Sequence, residues 1–289
     1  MKVAVITNTS KPQAVEFQPK VIDKLINMGV TPVVLKSDRR IAKNHINDVL
    51  CFESHTEVVK NCDILIAIGG DGTIIHMARH AAKHNKPLLG INFGRVGFVA
   101  TLEPQDLDSI DKLLTGNYFT QQRMLLKVTV ETPTGVERLY AINDAVISRG
   151  SMSRMMDLSV SVNGKKTCQY RADGVIFSTP TGSTAYSLSA GGPVICPDIE
   201  CILLTPICPH SLFSRSVIFK AGDKLTVTAA TGEGTGTEAF LTVDGQYHLP
   251  LTDDTRVTIE KYEKSFSLIS IEPQNFYTVL NNKLNERGI

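Results

Sequence analysis

The hydrophobic pattern has two textures that meet near residue 120. Before it, short β-branched runs alternate with longer stretches of helical period. KVAVIT (2–7), PVVLK (32–36), DILIAIGG (63–70) and KPLLGINF (86–93) read as buried strands. Residues 13–28 carry Val15, Phe17, Val21, Ile22, Leu25 and Ile26 at helical spacing, and 73–84 and 104–115 are further helical segments. Strand and helix in alternation predict a mostly parallel sheet covered on both faces. After residue 123 the period falls to two. LLKVTVET and VERLYAI flank a turn at Pro133-Thr134-Gly135, and LSVSVNGKKTCQY places Asn163-Gly164 between alternating strands, a strong hairpin signal. DKLTVTAA, AFLTVDGQYHL, TRVTIEKY and SFSLISI continue the alternation. The fold class expected is therefore an α/β N-terminal domain (1–120) with a mostly parallel sheet, followed by a β-rich C-terminal domain (121–272). A partly helical tail (273–289) completes the chain.

Composition narrows the function classes. The 289 residues are 42% hydrophobic and 20% charged with a formal net charge of +1, which gives no whole-chain attraction to nucleic acid or anionic membrane. No apolar run approaches the roughly 20 residues needed to span a bilayer, and the apolar run in MKVAVITNTS is too short for a secretory signal core. Six cysteines without C-x-x-C spacing fit scattered free thiols and a cytoplasmic location. TGEGTGTE (231–238) reads as a loop.

Three stretches carry chemistry. In AIGGDGTIIH (67–76) an apolar strand runs into Gly69-Gly70-Asp71-Gly72 and a helix. Glycines there allow close backbone approach, and the free N–H groups of a helix start suit phosphate oxygens. A carboxylate repels phosphate, so Asp71 makes sense as the acceptor of a proton from an attacking hydroxyl; a turn in which Asp71 only caps the helix accounts for the same residues. In AINDAVISRG (141–150), Asn143 and Asp144 could hold a vicinal diol, or form an Asx turn. In YRADGVIFSTPTGSTAYSLSAGGP (170–193), hydroxyls and glycines follow a strand, with Arg171 and Asp173 at its start. A short helix beginning near Ser183 or Thr184 could present them to phosphate, ribose and carboxamide groups without burying charge. No Walker-type loop and no strand-linked G-x-G-x-x-G occurs. His76, His80 and His84 recur every four residues, but H-E-x-x-H is absent and no third ligand stands out, so they read as a helix face. Ser109–Lys112 matches S-x-x-K without its companion motifs, and no G-x-S-x-G is present.

Taken together, GGDGT, Asn143-Asp144, DGVIFSTPTGSTAYSLSAGGP, LTPICPHSL, VDGQ and GINFGRVGF (90–98) resemble the NAD kinase family, in its bacterial form, from Met1 to about Ile271. The resemblance implies a kinase that moves the terminal phosphoryl of ATP or polyphosphate to the adenosine ribose 2′-hydroxyl of NAD. Asp71 then matches the proton acceptor, Gly72 a backbone contact and His76 a nucleotide contact. Asn143 and Asp144 match the pair holding the adenosine portion; Asp144 stands where glutamate is common and reaches one methylene less far. Arg154, Arg171 and Asp173 fall on further contact positions. Thr184, Ala185, Tyr186, Ser187, Leu188 and Ser189 match the segment that wraps the dinucleotide, and Gln246 a contact from the β-rich domain. The resemblance further implies a homodimer or homotetramer, no nucleic-acid or membrane partner, and Mg²⁺ arriving on the donor's phosphate oxygens rather than in a protein cage. Two other activities share some of these motifs: a non-catalytic NAD-binding sensor, and a lipid or sugar kinase with the same glycine-aspartate motif.

Overall fold

The structure, a computed structural model, describes residues 1–38, 47–94, 97–150, 154–210, 215–230, 238–273 and 275–287, with side chains through residue 282. The loop read at 231–238 lies outside the described residues except for Glu238, as do Arg95 and Val96 of the 90–98 block and Ser211 and Leu212. The chain forms two units, Met1–Arg123 with Lys264–Ile289, and Met124–Glu263.

In the first unit, apolar runs become β1 (Lys2–Thr7), β2 (Thr31–Leu35), β3 (Leu50–Phe52), β4 (Ile64–Gly69) and β5 (Leu88–Asn92). They pair in the order β3-β2-β1-β4-β5, all parallel. Every residue of β4 and β5 is buried, which is why these strands read as continuous apolar runs rather than alternating ones. Helices α1 (Pro12–Asn27), α2 (His55–Lys60) and α3 (Asp71–His84) connect them. α1 starts on Pro12, whose missing N–H costs nothing at that position, and buries Ala14, Phe17, Val21, Ile22 and Leu25.

The helix expected at 104–115 differs. Pro104–Asp111 is a 3₁₀ segment with non-helical backbone at Asp106, followed by the single-turn helix α4 (Lys112–Thr115). Ile110 and Leu113 are buried and Leu107 partly so. Their spacing of three matches the 3₁₀ repeat better than the α repeat.

The second unit begins within β6 (Phe119–Thr132), which turns at Thr132-Pro133-Thr134-Gly135 into β7 (Gly135–Ala141). There follow β8 (Asp144–Arg149), β9 (Met156–Val162), β10 (Lys165–Ala172), β11 (Gly174–Ser178) and the short helix α5 (Tyr186–Ser189). β12 (Cys201–Ile207), β13 (Val217–Lys220), β14 (Leu225–Ala229), β15 (Ala239–Val243), β16 (Tyr247–Leu251) and β17 (Arg256–Ser270) complete it. Asn163 and Gly164 both take positive φ (50° and 81°) between β9 and β10, the turn that matches strand twist. One sheet runs β10-β9-β14-β17 with the β6–β7 hairpin joined to β17; the other runs β13-β12-β11-β8-β15-β16. Leu126, Leu158, Val160 and Tyr170 from the first meet Ile147, Val175, Phe177 and Leu241 from the second in one core. The fold is thus an α/β unit with a parallel sheet and a β-rich unit of two antiparallel sheets. The two strands read separately near the C-terminus are one strand, β17, whose last residues rejoin the first unit: Leu268 pairs in parallel with Leu88, and Ile269 and Ile271 enter that unit's core. The chain continues through α6 (Phe276–Arg287).

Candidate functional site

In the first unit the sheet order reverses direction at β1: β2 lies on one side and β4 on the other. Ligands of such sheets bind outside the carboxyl ends of the strands at that point. A cavity of about 530 Å³ opens there, lined among others by Asn8, Lys11, Gly70, Gly72, Thr73 and His76. β4 delivers the chain to Gly70, which is the N-cap of α3 and makes no side-chain cap.

Asp71 therefore sits inside the first turn rather than capping it. Its carboxylate accepts the backbone N–H of Phe98 at 2.9 Å and of Val99 at 3.4 Å. A Cβ on Gly97 would lie 1.7 Å from Asp71 Oδ1, so only glycine at 97 lets the carboxylate rest against this turn. Gly72 has nothing within 4 Å of where a Cβ would stand, which leaves its backbone open to a ligand. Two members of this wall belong to none of the sequence motifs. Lys11 Nζ donates to the Phe93 carbonyl at 2.7 Å and brings a cation to the cavity, and Asn8 Nδ2 donates to Thr73 Oγ1 at 3.0 Å. Both lie in the turn just past β1, where a strand-end polar cluster was the available signal.

Magnesium takes oxygen ligands. Among the described residues the three-residue cluster with metal spacing is His55, His76 and His80, an all-imidazole set that does not suit it.

In the second unit three distant segments meet around Asn143 and Asp144. Asp244 has φ +48° and Gly245 φ +65° in the turn between β15 and β16. The Asp244 carboxylate gathers the backbone N–H groups of Ile142, Asn143 and Asp144 at 2.9, 2.8 and 3.1 Å. Gln246 is exposed in the same turn. From the other side, Thr179 donates its backbone N–H to the Asn143 carbonyl at 2.9 Å and its hydroxyl to the Ile142 carbonyl at 2.6 Å. A Cβ on Gly182 would stand 2.1 Å from the Asn143 carbonyl oxygen, so the loop depends on glycine for this approach.

The hydroxyls of this loop mostly build the loop. Ser183 Oγ donates to the Pro180 carbonyl and accepts the Ile195 N–H, Thr184 donates to the Thr181 carbonyl, and Ser187 bonds Thr205. The helix expected from Ser183 is a 3₁₀ turn, Thr181–Thr184, broken at Ala185 from the single turn α5. Gly191 then ends α5 with φ +84°. What the segment shows to solvent is Tyr186 and Ser189, with Ala185 and Leu188 half-buried, while Thr184 and Ser187 are buried.

Arg171 and Asp173 stand elsewhere. Asp173 lies at the start of β11, beside the far end of β8, where its carboxylate accepts Arg149 Nε at 2.7 Å. Asp144 and Arg149 are the two ends of β8, roughly 17 Å apart at about 3.4 Å per residue. Arg149 was not singled out in the sequence, because its partner is a cross-strand neighbour. Arg171 and Arg154 are exposed.

Asp144 is 6% exposed, and burial, with the Asp244 charge second, pushes its carboxyl up to about 7. The folded protein therefore holds this proton more tightly than the unfolded chain does. The stability it contributes is full below the ordinary value near 3.8 and is lost as pH rises through about 7. The loss is at most on the order of 4 kcal/mol. Asp144→Asn has no such titration and is expected to be more stable than the parent at pH 8 by about 2–4 kcal/mol, with the gap shrinking toward pH 5. Urea unfolding across that range checks this; parallel profiles for the two proteins would remove the assignment.

Residues 3–118 match the ATP-NAD kinase N-terminal domain and residues 142–271 the ATP-NAD kinase C-terminal domain. The NAD kinase of Caldanaerobacter subterraneus subsp. tengcongensis is 36% identical over 296 residues, covering 99% of this chain and 99% of that protein. The crystal structure of a yeast NADH kinase complexed with NADH superposes with a TM-score of 0.87 at 24% identity, covering 99% of this chain and 87% of that one. That of an NAD kinase from Archaeoglobus fulgidus in complex with ATP gives 0.75 at 25% identity, covering 99% of each. Both domains occur in order, with the glycine-aspartate turn in one and the Asn143-Asp144 corner in the other, and more than a third of the residues are shared along the whole length; the chain belongs to the NAD kinase family.

Proposed function

We propose that the protein transfers the terminal phosphoryl group of ATP or polyphosphate to the 2′-hydroxyl of the adenosine ribose of NAD, forming NADP. The observation that carries the reading is the Asp71 carboxylate, which is held by two backbone N–H groups and not spent on capping its own helix. Asp71 takes the hydroxyl proton as the ribose oxygen bonds to phosphorus and the bond to the leaving phosphate oxygen breaks. The N–H groups at the start of α3 and the Lys11 ammonium suit the donor's phosphate oxygens. Mg²⁺ carried on those oxygens supplies charge neutralisation during transfer.

Asn143 and Asp144 hold the adenosine ribose in this reading, with Gln246 and the exposed face of Ala185–Ser189 around the rest of the dinucleotide. Arg154, just before β9, Arg171, near the end of β10, and Asp173, between β10 and β11, serve the far end of the ligand or an oligomer contact. A homodimer or homotetramer, testable by sedimentation equilibrium, belongs to the same proposal. So does a cytoplasmic location, which six free cysteines support. No helix among the described residues is long and apolar enough to cross a membrane.

Purified protein given NAD, ATP and Mg²⁺ is expected to form NADP, followed with an NADP-specific dehydrogenase. No product with ATP or polyphosphate, and with NAD or NADH, while calorimetry still detects NAD binding, would replace this reading with a binding role.

A further inference from the structure

The histidines of α3 acquire from the fold a neighbour that their own helix does not show. Ser54 caps α2, with its hydroxyl accepting the Glu57 N–H and Glu57 reaching back to the Ser54 N–H. This fixes His55 as the first residue of α2. His76 and His80, one turn apart on α3, complete a triangle whose ring centroids are 5.4, 5.7 and 5.4 Å apart. One nitrogen from each ring lies within 4.8 Å of the other two. Tetrahedral zinc with bonds of 2.0–2.1 Å sets its ligand nitrogens about 3.3 Å apart, so modest ring movements close the gap. All three residues are half-buried, and His55 and His76 line the 530 Å³ cavity.

A second group faces the same space. Asp38 also lines the cavity and is 3% exposed. Its Oδ1 accepts the Ser37 hydroxyl, but its Oδ2 has no hydrogen-bond partner among the described residues. A buried carboxylate with an unsatisfied oxygen is costly unless a positive charge comes near.

We propose that His55, His76 and His80 form a binding site for a zinc-type divalent transition metal. Three imidazoles leave one coordination position open toward the cavity, as in zinc sites that hold a water or an anion. Asp38 balances the charge from outside the ligand set, where carboxylates support metal-bound histidines. The site is separate in chemistry from the donor's magnesium and does not depend on the proposed reaction.

The test uses the full chain freed of metal with a chelator. Titration with Co²⁺, read by visible absorption, is expected to saturate at one ion per chain. The spectrum should be that of nitrogen and oxygen ligation without a thiolate charge-transfer band, and Zn²⁺ should displace the cobalt. His55→Gln and His80→Gln are each expected to weaken Zn²⁺ binding at least about 30-fold, whereas His84→Gln, on the same helix, leaves it unchanged. Circular dichroism confirms that each variant is folded. In the wild type alone, Co²⁺ should shift the ring resonances of three of the seven histidines. No saturable binding tighter than about 100 μM, a thiolate band, a different set of shifted histidines, or folded variants that bind as the parent does would each overturn the proposal.

Discussion

Asp71→Asn is expected to lower the rate of NADP formation by about 10²–10⁴-fold, the usual contribution of a positioned proton acceptor, while NAD binding measured by calorimetry changes by no more than a few-fold. Asparagine keeps the size of the side chain and one carbonyl oxygen for the Phe98 N–H, but its neutral amide cannot accept the hydroxyl proton. Its amide NH₂ would also turn a donor toward one of the two N–H groups that now hold the carboxylate. The barrier therefore rises by roughly 2.7–5.5 kcal/mol with little change in the ground state. Gly97→Ala probes the same point with Asp71 intact. Its methyl group would stand 1.7 Å from Oδ1, so the carboxylate must leave its seat and turnover should fall in the same direction. Should Asp71→Asn retain a tenth or more of the parent rate, another group accepts the proton.

Gly182→Ala is expected to show its large effect in stability and ligand affinity together. The added carbon would meet the Asn143 carbonyl oxygen, carbon and Cα at 2.1, 2.5 and 2.6 Å. All three are backbone atoms in a buried corner, so no side chain can rotate away. The 179–184 loop must separate from Asn143, giving up the Thr179 contacts that join them. Overpacking of this kind costs about 3 kcal/mol, and the shift of Asn143 and Asp144 should weaken NAD binding at least about tenfold. Gly135→Ala, where a Cβ meets nothing within 4 Å, serves as the control and should be close to neutral. A Gly182→Ala protein that melts and binds NAD like the parent would show that this corner does not hold the ligand.

Much of this was legible in the chain, for physical reasons. β1, β2, β4 and β5 are buried on both faces, so their apolar runs identify them, and α1 and α3 show a clear helical period. The short elements were not legible. β3 is three residues long, and α2, although it begins with Ser54-x-x-Glu57, is too short for a period to emerge. Missing α2 hid His55, and with it the third corner of the histidine triangle. The hydroxyl-rich stretch illustrates a different limit. Its density sets it apart, but sequence cannot distinguish hydroxyls that meet a ligand from hydroxyls that satisfy their own loop, as Ser183 and Thr184 do. The Arg149–Asp173 pair was invisible because strand register, not spacing along the chain, sets it.

The two units differ in continuity, and this bears on how the protein is made. The inner one is a single stretch, Met124–Glu263, whereas the outer one is completed only by the last 26 residues, Lys264–Ile289. On the ribosome the usual order, in which the N-terminal part folds first, is therefore interrupted. A nascent chain that has emerged as far as Glu263 holds every strand of the inner unit, while β5, buried throughout in the finished protein, still awaits Leu268 along one edge. An unpaired apolar edge recruits other strands, so β5 carries that exposure from the synthesis of Asn92 until Leu268 arrives.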